Sequence, residues 1–392
     1  MAGPARVLAQ RRQVGFLCGM KIFRRVVLVL LSLIAGSAGW AELPAKGPQT
    51  RNVVLVTIDG LRWQEVFRGA EAELMTPEAG RVDAAGRKAL LAKFGGDSPG
   101  GRREKLMPFL WEVAGRQGQV WGNRDARSPV EVSNTQWFSY PGYNELLTGR
   151  ADPGIVSNDL IPNPNVSVLE WLNQRPAFAG RVRVCAAWQA FPAILNTGRS
   201  GLQLWITGQH SAPAAASPAV LELERLMNDI PSPWPDEHYD AFVSRRALEY
   251  VVTDQPRVLY MALGEPDDWA HGRRYDRYLA SIANCDRFIR QLWEKLQSLP
   301  QYRGTTTLII SPDHGRGRTA QDWIDHGMKT PGSNETWLAV LGPDTPPRGE
   351  RRDTPVATQA QIAATVAALL GENYREFQPA AAPALMEVVG EK

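Results

Sequence analysis

Asp313 and His314 stand side by side in SPDHG (311–315), directly after the apolar, β-branched run 305–310. That run reads as a buried strand, and in an open α/β sheet ligands collect where strands end. A carboxylate and an imidazole together suit a borderline cation such as zinc. A second pair follows the run 257–263. Asp267 and His271 are four residues apart, which on a helical turn puts both on one face. A third carboxylate, Asp59, closes the run 52–58 (NVVLVTI) and precedes Gly60. His326 lies in a later loop, while His210 and His238 read as surface or packing residues. Each has a plainer reading alone: Asp59-Gly60 as a turn, Asp267 with His271 as a surface ion pair, Asp313 as a cap.

A hydroxyl joins them. In WFSYPGYNELLTGR (137–150), Pro141 fits a first helical turn, where its missing N–H is no loss. Ser139 then sits at the helix start and can be an ordinary N-cap. The same position aims a nucleophile at free backbone N–H groups and the positive end of the helix dipole, where a phosphate or sulfate would be held. Asn144 and Arg316, close in sequence to Ser139 and His314, are candidate substrate-binding groups.

The elements that must position these residues alternate. Strands at 52–58, 181–187, 257–263, 305–310 and 335–341 are interleaved with helices at 220–227, 241–251, 273–299 and 355–370. This predicts an α/β domain with a largely parallel central sheet flanked by helices. The domain is expected over 42–376, with an Ala/Pro-rich tail at 377–392. Segments 65–130 (with a helix near 107–116) and 188–250 read as insertions that leave the sheet and cap the site.

With 392 residues, 44% of them hydrophobic, the chain can bury a large core. Its net charge is +3, without a basic tail, which argues against a nucleic-acid polymer as partner. Residues 1–41 read as a signal peptide. Lys21, Arg24 and Arg25 precede the apolar run 26–35, and small residues lead to cleavage after Ala38 or Ala41. Residues 1–19 look like an upstream extension, with Met20 as start. The apolar run is short for a membrane span, so an exported protein, periplasmic or secreted, without a stable span after processing is expected. Cys185 and Cys285 would form either one disulfide or two buried thiols.

Together the motifs resemble the alkaline phosphatase superfamily. The nearest branch is the type I phosphodiesterase/nucleotide pyrophosphatase group. The resemblance rests on TIDG (57–60), SYP (139–141) with LTG (147–149), EPD (265–267) with His271-Gly272, DHG (313–315) and His326-Gly327, in the family's order. It implies an alkaline-phosphatase-like fold and two divalent ions, zinc or manganese. One would take Asp59, Asp313, His314 and the Ser139 oxygen, the other Asp267, His271 and His326. It further implies hydrolysis of a small-molecule or head-group phosphate ester through phospho-Ser139.

The chain departs from that branch where Gly142-Tyr143 replace Asn-His and where Ser replaces the commoner Thr. The same stretch resembles the sulfatase signature Ser-x-Pro-x-Arg, with Tyr143 in place of the Arg. A sulfatase is therefore the second reading, ahead of a transferase, a mutase or an inactive binding protein.

Overall fold

The computed structural model describes residues 49–208 and 217–390. The expected signal peptide, its cleavage positions and His210 lie outside the described residues.

Strand β1 (Asn52–Ile58) is buried along its whole length, which accounts for its nearly continuous apolar sequence. Alternate side chains serve two cores. Val54, Val56 and Ile58 join one cluster, while Val53 and Leu55 join the other. Further strands follow in chain order: β2 (Gln119–Trp121), β3 (Val130–Glu131), β4 (Val182–Ala186), β5 (Gln203–Ile206), β6 (Val258–Leu263), β7 (Thr306–Ser311), β8 (Glu335–Thr336), β9 (Leu338–Leu341), β10 (Gly349–Glu350) and β11 (Ala357–Thr358).

Eight form one sheet in the order β10-β2-β9-β7-β1-β6-β4-β5. The five from β7 to β5 are mutually parallel. β9 runs antiparallel to both of its neighbours. A small sheet, β11-β3-β8, stands apart. The largely parallel sheet predicted from the sequence is thus present. The single strand expected at 335–341 is instead two, because the chain passes from the small sheet to the large one at the buried Trp337.

Helices cover both faces. Those used below are α1 (Ser139–Thr148), α2 (Pro218–Asp229), α3 (Asp240–Thr253), α4 (Glu265–His271), α5 (Tyr275–Ser298) and α6 (Gln361–Leu369). The inward stripes of α3 and α5 (Val243, Ala247, Tyr278, Ile282) pack with Val54 and Val56. Tyr143 and Leu147 of α1 and Val366 of α6 pack with Val53 and Leu55.

The segments expected to be caps contribute to this sandwich. β2 comes from 65–130, while β5, α2 and most of α3 come from 188–250. Cys185 and Cys285 are buried, unbridged thiols.

Candidate metal and nucleophile site

Three strand ends and one helix start converge at the carboxyl edge of the parallel sheet. Asp59 follows β1, Asp267 and His271 lie on α4 just after β6, Asp313 and His314 follow β7, and Ser139 opens α1. The loop after β7 adds His326. Two groups form. In the first, one ligand atom each from Asp59, Asp313 and His314 lies within 4.8 Å of the others; Asp267, His271 and His326 do the same in the second. The groups abut, with His314 Nε2 3.9 Å from Asp267 Oδ1.

The first group is buried. His314 Nε2 lies 3.2 Å from Asp59 Oδ1, 3.5 Å from Asp313 Oδ2 and 3.3 Å from Ser139 Oγ. Its other nitrogen, Nδ1, donates to the Gly315 carbonyl at 2.8 Å, which turns Nε2 inward. Each carboxylate is held by one oxygen only. Tyr143 Oη donates to Asp59 Oδ2 at 2.9 Å, and the Gly60 N–H donates to Asp313 Oδ1 at 3.1 Å. The remaining oxygens, Asp59 Oδ1 and Asp313 Oδ2, are buried with no hydrogen-bond partner. Unpaired buried carboxylate oxygens are costly unless a cation meets them.

Electrostatics agree. Burial, then the neighbouring Asp59, drives the Asp313 carboxyl well above its usual range. Burial opposes a charge on His314, but Asp313 and Asp59 overrule it and lift the imidazole to about 9. Burial, with Asp313 and Asp59 adding, raises the Tyr143 phenol, so it remains a donor.

The second group opens to solvent on the side of His271, whose side chain is 43% exposed. His271 Nε2 is 2.9 Å from His326 Nε2 and 3.1 Å from Asp267 Oδ2. Burial opposes ionisation of Asp267, but Arg316 and His271 outweigh it and hold the carboxyl well below its ordinary value. These donor sets fit divalent transition metals: two carboxylates and an imidazole in one, a carboxylate and two imidazoles in the other.

The frame around Ser139 is tightly set. The hydroxyl is not a cap: Phe138 occupies the cap position and makes no side-chain cap. Trp137 adopts φ 56°, a left-handed conformation that a bulky residue holds only at a cost of about 1–3 kcal/mol. The buried Glu145 carboxylate fixes the preceding loop by accepting from the N–H groups of Ser133 and Asn134. Gly142 lets α1 approach β7's end, since a Cβ there would lie 2.4 Å from the Asp313 carbonyl oxygen. Gly60 has φ +56°, and a Cβ there would meet Asp267 Oδ1 at 2.3 Å.

Three expectations need correction. The helix start has few free donors: the Tyr140 N–H donates to Asn158 Oδ1, Pro141 has none, and the Gly142 N–H bonds to the Phe138 carbonyl. Asn144 does not face the site. It is buried, donates to the Arg150 carbonyl and accepts from Asn163 and Asn165. Arg316 is also buried, with its donors taken by Asp267, His271 and the carbonyls of Trp323 and Ile324, so it is no free substrate group.

The sequence reading missed Tyr143 as part of the site. The signal was its place within the nucleophile motif, one helical turn past Ser139. Beside the site, burial, with Asp267 and Asp59 adding, pushes the Asp268 carboxyl up to about 8 against a hydrogen bond with Glu237.

Solved structures share this architecture. The wild-type alkaline phosphatase PafA matches with a TM-score of 0.55 at 10% identity, over 89% of this chain and 100% of its own. The chain has an alkaline-phosphatase-like fold. A putative sulfatase from Bacteroides thetaiotaomicron matches at TM-score 0.52 and 11% identity, covering 83% of this chain and 71% of its own. The phosphonate monoester hydrolase SpPMH from Silicibacter pomeroyi matches at 0.50 and 11%, covering 86% and 78%. Residues 219–372 match the family model described as Sulfatase. That span includes Asp267, His271, Asp313, His314, Arg316 and His326. No curated protein sequence matches the chain.

Proposed function

We propose that the protein is an exported, metal-dependent hydrolase of phosphate esters that uses Ser139 as its nucleophile. The observation that carries this reading is the place of the Ser139 hydroxyl: 3.3 Å from His314 Nε2, beside two buried carboxylate oxygens without partners. Asp59, Asp313 and His314 would hold one divalent ion together with the Ser139 oxygen; Asp267, His271 and His326 would hold the other. Such ions supply charge neutralisation and activation of hydroxyl and water.

The chain's own residues do the rest. The rigid turn at Trp137 and the close packing at Gly142 fix the direction of the Ser139 oxygen. That oxygen forms a bond to phosphorus as the ester's alcohol leaves. Water then cleaves the phosphoserine and restores the hydroxyl. Tyr143 keeps Asp59 oriented by one oxygen. The open side at His271 admits a small-molecule or head-group ester, whether monoester or diester.

Ser139→Ala tests the reading. Because Ser139 caps nothing, the variant should melt near the wild-type temperature and lose turnover of aryl phosphate esters by several orders of magnitude. Near-normal turnover would defeat the mechanism.

A sulfatase is the second reading, favoured by the family model over 219–372. Against it, the position of the signature arginine is Tyr143, whose hydroxyl is committed to Asp59. Turnover of an aryl sulfate above aryl phosphate, with a Ser139 peptide found oxidised to the aldehyde by mass spectrometry, would establish that reading instead.

A further inference from the structure

The two ligand groups differ in one respect that the residue types alone do not reveal. Among the described residues, no Lys or Arg contacts Asp59, Asp313 or His314. Their second atoms meet a phenol, a backbone N–H and a backbone carbonyl. The second group has a cation built into its wall. The buried Arg316 is anchored by Nε on the Trp323 carbonyl at 3.0 Å and by Nη2 on the Ile324 carbonyl. Its Nη1 donates to Asp267 Oδ1, and Nη2 lies 3.3 Å from His271 Nδ1. Gly60 makes room for it, since a Cβ there would come within 2.9 Å of Nη1.

Both contacts work against a metal. A guanidinium does not deprotonate, so Asp267 has a permanent competitor for one oxygen, and any ion entering meets a like charge. A neutral imidazole that accepts at Nδ1 carries its proton on Nε2. In His271, Nε2 is the atom that points at Asp267 and His326. In His314, by contrast, Nδ1 donates to a backbone carbonyl, with no guanidinium on the ring.

We propose that Arg316 makes the metal sites unequal: Asp59-Asp313-His314 is the tight site, and Asp267-His271-His326 is a weak, exchangeable one. This rests on the two-ion reading above.

The test uses the whole chain stripped by chelation and titrated with cobalt(II), followed by its visible spectrum and by calorimetry. Two steps are expected, the second weaker by about 10- to 100-fold, the range typical of a changed outer partner. His314→Ala should remove the tighter step, and His271→Ala the weaker. Arg316→Gln should narrow the gap, and Arg316→Lys should keep it. If Arg316→Gln does not fold, the wild-type steps and the two histidine variants decide. Two steps of equal affinity, or loss of the tighter step in His271→Ala, would overturn the inference while leaving the two-ion reading intact. Absence of any cobalt uptake would sink both.

Discussion

Tyr143 shows how a single side chain can define a site without touching its substrate. It stands where one related signature has an arginine, yet its hydroxyl, kept protonated by burial and by Asp313 and Asp59, donates to Asp59. The bond ties up one carboxylate oxygen and leaves the other facing the cluster. Tyr143→Phe should therefore lower stability by about 1–3 kcal/mol, since a buried acceptor loses its partner, and should weaken metal retention. Melting temperature and zinc content after dialysis check both effects; unchanged zinc content would show that Asp59 is oriented by something else. The carboxylates and histidines that converge at the sheet edge were legible in the sequence, because such residues after strong apolar runs leave few other uses. Tyr143 was not, because a phenol one turn past the nucleophile looks like core. Asn144 and Arg316 misled for the converse reason: sequence separation does not say which way a polar side chain turns.

At the scale of elements, strands and long helices were readable because burial on two faces or on one stripe leaves a distinct period. What escaped was contact between elements. Gly142 is the clearest case, for α1 can lie against the end of β7 only without a side chain there. Gly142→Ala should cost about 1–3 kcal/mol by overpacking and should also lower turnover, because Ser139 shifts away from His314. Calorimetry and kinetics should move together; a stable variant with full activity would refute the tight-packing account.

A second inter-element bond links α5 to the helix start at 109–110. Asp286 is buried and accepts from the N–H groups of Phe109 and Leu110. Burial lifts it to about 6 despite those bonds. The folded form thus binds a proton more tightly than the unfolded chain, so this group's contribution is fully present below about pH 4 and declines as pH rises to about 6. Its size is about 3 kcal/mol. Relative to wild type, Asp286→Asn should gain stability across that window, and chemical denaturation at pH 4 and pH 6 measures it.

For the molecule as a whole, the expected leader and the sheet order bear on one another. The mature chain is expected to begin near Glu42, and N-terminal sequencing of protein from the native host tests that. An intact 21–41 segment in a cytosolic fraction would contradict export. Among the described residues no helix is long and apolar enough to cross a membrane.

The central place of β1 has a further consequence, for the order of events in synthesis. β1 is among the first described elements to leave the ribosome, yet its sheet neighbours come about 200 and 250 residues later: Val53 pairs with Val258 on one side and Thr307 on the other. Until those strands exist, this largely apolar segment has no partner, and Asp59 belongs to no site. Such non-local pairing closes slowly and leaves the growing chain exposed. A chain built this way stays threadable through most of its own translation, which is the state a translocation channel requires.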